Sequence, residues 1–317
     1  MQPDLSPVMV RDADRRIRPL ARRTPMFTST SVNRAAGVEV HFKCENLQRG
    51  GAFKIRGASN LIFSIPAGDL PRGVVAFSSG NHAQAVAIAA EQAGTKATIV
   101  MPEDAPRGKL EATRSHGAHI IMYDRHHESR EVIADELLKE TGATLVPPFD
   151  HPLVMAGQGT AALELLEAIP HLEAFIAPIG GGGLLAGCAT IAKALNSEIR
   201  IFGAEPERAN DTFLSLQAKH RVEIPMPDTI ADGLRSPKPG ALTFPVLQRH
   251  VEGVLLVSEE EIRQTVKFLL MRMKLLVEPS GAVAAAAVLH QRLPKDVRSI
   301  GVILSGGNLD FEDLAGY

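Results

Sequence analysis

The stretch that decides the fold reads Gly50-Gly51-Ala52-Phe53-Lys54-Ile55-Arg56-Gly57-Ala58. Its lysine, Lys54, stands between an aromatic and an aliphatic residue and has glycines on both sides, which is unusual for a solvated surface. Burial beside apolar neighbours disfavours the ammonium form and lowers the pKa of a lysine, and a neutral amine can form a Schiff base. Taken alone, this stretch also fits an ordinary lysine at the edge of a strand or helix. The other motifs of the chain therefore decide between the two interpretations.

Three further motifs follow in the chain: Ser78-Ser79-Gly80-Asn81-His82, Gly180-Gly181-Gly182-Gly183 and Ser305-Gly306-Gly307-Asn308. The four-glycine run lies between a predicted strand and a predicted helix, where backbone N–H groups can approach a phosphate at the positive end of the helix. Glycine runs also form turns and close packing points. The sequence has no GxGxxG pattern with a ribose-binding acid and no Gly-Lys-Ser/Thr after the run, so a single phosphate fits better than a dinucleotide.

Composition excludes several classes of function. The chain has 317 residues, a formal net charge of −2 and 45% hydrophobic residues, so nothing in its charge points to nucleic acid or a membrane surface as a partner. Cys44 and Cys188 lie far apart in apolar segments and are expected to be reduced core residues. The longest apolar stretch, 282–289, is too short to span a bilayer, and residues 1–18 lack the apolar run of a signal peptide. We expect a cytoplasmic protein.

Strand-like and helical segments alternate along the whole chain. This pattern predicts an α/β fold with a mainly parallel sheet, because strands about twenty-odd residues apart suit βα units. The predicted strands are 74–77, 97–101, 119–123, 174–179, 199–204 and 299–304, and the predicted helices are 83–93, 109–116, 128–141, 184–195, 262–275 and 281–291.

Taken together, the four ordered motifs resemble those of the serine/threonine dehydratase and serine racemase group of pyridoxal-phosphate enzymes, which share the tryptophan-synthase-β-like fold (fold type II). The resemblance runs from about Thr24 to Asn308. It implies two open, twisted parallel-sheet α/β domains with the cofactor between them. The large domain would comprise residues 1–65 and 148–317, and the small one residues 66–147. It also implies a homodimer or homotetramer acting on a small amino acid.

The resemblance assigns the cofactor residues. Lys54 would carry pyridoxal 5'-phosphate and take the α-proton, and Ser305 would bond the pyridine nitrogen. A neutral hydroxyl partner leaves that nitrogen largely unprotonated, which makes the ring a weaker electron sink and favours β-elimination over transamination. The phosphate would be bound by Gly180, Gly181, Gly182 and Gly183, and Leu184 is a further cofactor contact. Asn81 would contact the phenolic oxygen, and Phe53 would pack near the ring. Asn81 taken alone could instead be an ordinary helix cap.

The implied substrate-binding residues are Ser78, Ser79, Asn81, His82, Arg130 and Ser236. Ser79 matches the serine that faces the side of the cofactor opposite the lysine in racemases, so it is either a second catalytic residue or a cap and carboxylate donor. His82 is expected to position the substrate. Arg130 matches an arginine that can reach an acidic substrate, although most such arginines are solvated. By contrast, residues 147–152 resemble the threonine dehydratases, and Gly50 stands where relatives commonly carry threonine, which would loosen the substrate end of the pocket.

A second constellation is the acidic segment 205–211 after a predicted strand. The carboxylates of Glu205 and Asp211, with an intervening carbonyl, are hard oxygen ligands suited to Mg²⁺ or Ca²⁺. Acidic loops are commonly only solvated, but the resemblance places a divalent site at Glu205, Ala209 and Asp211.

The reading favoured by these residues is a dehydratase (ammonia-lyase) that converts a β-hydroxy-α-amino acid of the L-threonine or L-serine type to a 2-oxo acid and ammonia. The alternatives are a serine racemase with dehydratase side activity, or a dehydratase for 3-hydroxyaspartate or phenylserine. A regulatory module without catalysis is disfavoured because the lysine and the cofactor motifs are intact.

Overall fold

The computed structural model describes residues 4–78, 80–105, 107–310 and 314. Its strands are β1 (Met26–Phe27), β2 (Glu39–Cys44), β3 (Val74–Phe77), β4 (Ala97–Pro102), β5 (His119–Tyr123), β6 (Thr144–Leu145), β7 (Ala174–Pro178), β8 (Arg200–Pro206), β9 (Gly253–Val257) and β10 (Ser299–Leu304). Its helices are α1 (Pro7–Ile17), α2 (Thr30–Ala36), α3 (Lys54–Ile62), α4 (Asn81–Ala93), α5 (Arg107–Arg114), α6 (Arg130–Thr141), α7 (Pro152–Ala168), α8 (Gly183–Leu195), α9 (Asp211–Ala218), α10 (Thr243–His250), α11 (Glu259–Phe268) and α12 (Pro279–Leu289).

The larger sheet has six strands in the order β1-β2-β10-β7-β8-β9, and only β1 runs antiparallel to its neighbour. All five residues of β7 are buried, which is typical of a parallel strand covered by helices on both faces. The carboxyl ends of β7 and β10 therefore open at one edge of the sheet, where ligands bind in open α/β folds. The glycine run and Ser305 follow these two strands.

The smaller sheet has four parallel strands in the order β5-β4-β3-β6. All four lie between Val74 and Leu145, inside the range expected for a small domain, and the division into two domains stays a prediction. The motif at 78–82 follows β3, so it too lies at the carboxyl edge of a parallel sheet.

Helix α3 is fixed against the larger sheet by a buried charge network. The Arg56 guanidinium contacts Glu45 at 2.7 Å and Glu164 at 2.8 Å, and Lys43 contacts the same Glu164. The two pairs of opposite charges compensate each other away from water, where an unpaired charge would be strongly destabilising. Because Arg56 is two residues from Lys54, the network also holds the lysine at the start of α3 in place.

The structure confirms the α/β fold with mainly parallel strands. The strands over 74–77, 119–123 and 299–304 match their predicted bounds, and the helix predicted over 262–275 differs. Its α-helical part ends at Phe268 and continues as a π-helix, Leu269–Met273, which ends at Lys274 in the left-handed region (φ 59°). Both cysteines are free and buried, as expected. Among the described residues, no helix is long and apolar enough to cross a membrane.

Candidate active site

Lys54 is the first residue of α3 and lies beside the end of β10. The backbone N–H of Phe53 donates to the carbonyl of Ser305 at 3.0 Å, and Ala52 pairs with Gly306, so the lysine motif and the Ser-Gly-Gly-Asn motif are joined directly. The Lys54 Nζ donates to the carbonyl oxygen of Pro148 at 2.8 Å and lies 5.2 Å from the centroid of the Phe53 ring.

Burial lowers the pKa of Lys54 from 10.5 to about 8. Among the described residues the side chain bonds one neutral carbonyl and no carboxylate, so nothing there offsets the cost of removing an ammonium group from water. A substantial fraction of the amine is therefore neutral near physiological pH. This is the state in which a lysine attacks an aldehyde or accepts a proton.

The glycine run connects β7 to α8 and presents free backbone amides. Gly182 has φ +91°, and a Cβ there would lie 2.8 Å from Thr243 Oγ1, so both conformation and space require glycine. A Cβ on Gly181 would overlap the ring of Phe149. The first turn of α8 has no side-chain cap, and within the described part of the chain no protein group accepts from the amides of 182–184. Such a turn suits a phosphate.

Asn81 opens α4 but is not its cap, because Gly80 holds that position. Its side chain instead reaches the residue before α12 and the loop after β10: Nδ2 donates to Glu278 Oε1 at 2.7 Å, and Oδ1 accepts from Asn308 Nδ2 at 2.8 Å. Ser78 Oγ accepts from the N–H of Gly80 at 3.2 Å. The motifs at 78–82 and 305–308 therefore meet through Asn81, and Ser79 lies outside the described residues.

Glu278 is a residue of this site that the sequence analysis missed. It is 3% exposed, and burial together with the nearby Asp232 raises its pKa to about 8. The sequence offered one signal for it, because Glu278 is a carboxyl side chain directly before Pro279 in an otherwise apolar segment. At neutral pH the group is mostly protonated, so it is a neutral partner for Asn81.

His82 is buried and neutral. Its Nε2 hydrogen-bonds the carbonyl of Val146 at 2.8 Å, while Nδ1 is buried and has no partner in the part of the chain that the structure describes. Burial first and the charge of Lys54 second lower the pKa of His82 to about 3. With Nε2 donating to Val146, the neutral ring presents Nδ1 as a hydrogen-bond acceptor, and its role as a positioning residue stays a prediction.

The remaining predicted residues surround the same place. Ser305 is buried, with its hydroxyl 3.5 Å from the carbonyl of Ser280, and Leu184 is buried in the first turn of α8. Ser236 donates to the carbonyl of Lys238 at 2.9 Å. Its loop contacts the glycine run, because a Cβ on Gly180 would lie 3.2 Å from the carbonyl oxygen of Gly233.

Comparison with known proteins identifies the family of the chain. The model of the pyridoxal-phosphate dependent enzyme family matches residues 17–306. The chain belongs to this family. The L-threo-3-hydroxyaspartate ammonia-lyase of Saccharomyces cerevisiae is 46% identical over 306 residues, 96% of this chain and 94% of that protein. The serine racemase of Dictyostelium discoideum is 44% identical, over 96% of this chain and 95% of that protein. The structure of maize serine racemase matches with a TM-score of 0.96 at 43% identity, over 99% of this chain and 97% of that one.

The residues present fit the family's cofactor. An amine of lowered pKa suits the aldehyde of pyridoxal phosphate, and the free backbone amides at the start of α8 suit its phosphate. A buried hydroxyl suits its ring nitrogen. The three groups come from Lys54, 180–184 and Ser305.

Arg130 begins α6, two residues after the predicted start of this helix at 128, and its side chain lies on Phe77. The guanidinium carbon is 5.2 Å from the centroid of that ring, and Nε donates to Glu131 at 2.8 Å. Phe77 is the last residue of β3 and directly precedes Ser78. A positively charged group therefore lies beside the 78–82 motif, with about half of its side chain still exposed.

The acidic segment is a buried pair of carboxyl groups. Glu205 accepts from the N–H groups of Thr212 at 3.1 Å and Phe213 at 2.9 Å, whereas both oxygens of Asp211 are buried and find no hydrogen-bond partner among the described residues. Burial raises the pKa of Asp211 to about 7, and burial with the charge of Asp211 raises that of Glu205. Orphaned carboxylate oxygens are what a cation would satisfy. No cluster of three or more His, Cys, Asp or Glu occurs among the described residues, so a backbone carbonyl such as that of Ala209 would have to contribute.

Proposed function

We propose that the protein is a pyridoxal-phosphate-dependent dehydratase that converts a β-hydroxy-α-amino acid to a 2-oxo acid and ammonia. The observation that carries the proposal is Lys54: its amine has a pKa lowered to about 8, and its segment is bonded directly to Ser305. The net reaction removes the α-proton and the β-hydroxyl as water, and hydrolysis of the resulting enamine releases ammonia.

The chain's own residues would divide the work as follows. The cofactor, when bound, supplies an aldehyde for the amino group and a ring that withdraws electrons from the α-carbon. The Lys54 amine takes the α-proton, since a base with a pKa near the working pH transfers protons most effectively. The 78–82 motif binds the substrate carboxylate through its amides and Asn81, and the neutral ring of His82 orients the substrate as a hydrogen-bond acceptor.

The position of Arg130 favours an acidic substrate such as a 3-hydroxyaspartate. Its guanidinium is held by the Phe77 ring at the end of β3, where it can pair with a second carboxylate next to the one bound by the motif. The Saccharomyces cerevisiae relative named for that substrate supports this choice. A serine racemase is the second candidate, supported by the Dictyostelium discoideum and maize relatives, and it would need Ser79 as the proton carrier on the second face.

We further propose a divalent cation, Mg²⁺ or Ca²⁺, bound by Glu205, Asp211 and the carbonyl of Ala209. Support comes from the two buried Asp211 oxygens, which have no hydrogen-bond partner among the described residues. Glu205 lies in β8, Ala209 in the turn after it and Asp211 at the start of α9. The site lies apart from the lysine motif in sequence, and the role we assign to the cation is to stabilise the fold.

The test is release of oxo acid from L-serine, L-threonine, both diastereomers of 3-hydroxyaspartate and phenylserine, measured side by side. Arg130→Met should lower kcat/KM for the preferred 3-hydroxyaspartate by about tenfold to a hundredfold and leave L-serine within about twofold, because only the acidic substrate loses a charge-assisted hydrogen bond.

Arg125→Met is the matched control, since Arg125 is similarly exposed and pairs with Asp104. Equal losses for L-serine and 3-hydroxyaspartate in Arg130→Met would remove the acidic-substrate proposal. Absence of oxo acid from every substrate would remove the dehydratase.

A further inference from the structure

One three-residue segment, Pro148-Phe149-Asp150, contacts both the lysine and the glycine run. The carbonyl of Pro148 holds Lys54 Nζ at 2.8 Å. The next residue, Phe149, packs against the glycine run: a Cβ on Gly183 would lie 2.9 Å from Phe149 Cβ, and one on Gly181 would overlap its ring. Neither of these contacts involves the third residue of the segment, Asp150.

Asp150 binds the start of α10 through three backbone amides. One carboxylate oxygen accepts from the N–H of Leu242 at 2.8 Å and of Thr243 at 3.2 Å, and the other accepts from Ala241 at 2.9 Å. No residue of α10 caps the helix itself. A carboxylate at these amides both satisfies unpaired donors and favours the positive end of the helix. A Cβ on Gly240 would overlap the carboxylate, so this approach depends on glycine.

The helix fixed in this way reaches into the glycine run. The Thr243 hydroxyl, fully buried, donates to the carbonyl of Gly181 at 2.7 Å, and the N–H of Gly240 donates to the same carbonyl at 3.2 Å. The peptide between Gly181 and Gly182 is planar and trans, so its N–H points opposite to its C=O. With the carbonyl held towards α10, the amide of Gly182 is turned away from α10, and it has no acceptor among the described residues.

We infer that Asp150 and Thr243 are positioning residues for the cofactor phosphate: Asp150 fixes the start of α10, and Thr243 on that helix orients the Gly181–Gly182 peptide. The inference rests on the proposed use of the glycine run as the phosphate site, and it extends that proposal to two side chains that do not touch the phosphate. Without the Thr243 hydroxyl, the bond from Gly240 is the one that the described residues still make to the Gly181 carbonyl, and the peptide can rotate its N–H out of line.

The experiment compares two probes on the cofactor-free protein, pyridoxal 5'-phosphate and pyridoxal, which lacks the phosphate. Thr243→Val, which keeps the shape of threonine but has no hydroxyl, should weaken binding of pyridoxal 5'-phosphate by about fivefold to tenfold, the loss expected for one buried hydrogen bond. Binding of pyridoxal should change by less than about twofold. Thr243→Ser keeps the donor and should restore wild-type affinity for both probes.

Asp150→Ala should produce the same selective loss, and its thermal unfolding is measured alongside in case the start of α10 unravels. Gln248→Ala, at an exposed position on the same helix, is the control and should change neither affinity. Equal losses for both probes in Thr243→Val, or no loss for either, would overturn the inference.

Gly182→Ala separates this outcome from failure of the parent proposal. If Gly182→Ala weakens pyridoxal 5'-phosphate binding while Thr243→Val does not, the phosphate site stands and the positioning role of Asp150 and Thr243 is refuted. If Gly182→Ala also has no effect, the glycine run is not the phosphate site, and both proposals fall.

Discussion

Replacing Glu278 by glutamine should make the protein more stable at alkaline pH. Glu278 is almost fully buried, accepts a hydrogen bond from Asn81 at 2.7 Å, and faces the negative charge of Asp232. Lys109 and the N–H of Asn308 act in the opposite direction, but burial dominates and raises its pKa from 4.5 to about 8. Glutamine has the shape of the protonated acid, keeps an acceptor for Asn81 and cannot ionise.

The sign of the pH dependence follows from this pKa. Because the native value lies above the unfolded one, the protonated group is the stabilising form. Its contribution is complete below the unfolded value of 4.5 and is lost as the pH rises through about 8. The full difference corresponds to about 5 kcal/mol, of which roughly 3 kcal/mol is lost between about pH 6 and about pH 9.

Urea unfolding of the cofactor-free protein at these two pH values measures the effect, because the free energy of unfolding is obtained by linear extrapolation. The wild type should lose roughly 3 kcal/mol more than Glu278→Gln on going to the higher pH. Glu260→Gln, at an exposed position on α11, is the control and should follow the wild type. A gap between Glu278→Gln and wild type that does not change with pH would refute the reasoning.

Two further predictions concern the second face of the cofactor and the cation. Ser79→Ala should slow racemisation and any reaction of D-serine by about 10²–10⁴ and spare elimination from L-serine, because Lys54 reaches one face only. Equal losses of racemisation and elimination, measured in a chiral assay, would mean that Ser79 only positions the substrate. A chelator should lower the melting temperature, and Ca²⁺ or Mg²⁺ at a hundredfold excess over its Kd should restore about 2.7 kcal/mol in wild type but not in Asp211→Asn. An unchanged cation response in Asp211→Asn would place the site elsewhere.

The sequence predicts those parts of the site whose chemistry is local. A lysine flanked by glycines, a glycine run between strand and helix, and a serine after a buried strand each carry their signal within a few residues. In the structure Lys54 begins α3, residues 180–183 connect β7 to α8, and Ser305 directly follows β10. The strand bounds follow for the same reason, since apolar runs and glycine or proline stops lie within one element.

The links between elements could not be predicted in this way. Asn81 was compatible with a helix cap, yet Gly80 takes that position and the amide bonds Glu278, almost two hundred residues away in the chain. Asp150 and Thr243 act on the glycine run from two other segments. The sequence near each of these residues does not indicate its partner, because residue and partner come together only when both sheets and their helices are packed.

The central claim is that Lys54 is the residue that carries the cofactor, and one measurement tests it most directly. The protein loaded with pyridoxal 5'-phosphate is reduced with borohydride, digested and analysed by mass spectrometry, which locates the lysine to which the pyridoxyl group is then permanently attached. We expect the label on the peptide containing Lys54 and no label in Lys54→Ala, which should also lose turnover because the α-proton base is missing. A stoichiometric label on any other lysine, or full turnover by Lys54→Ala, would contradict the account.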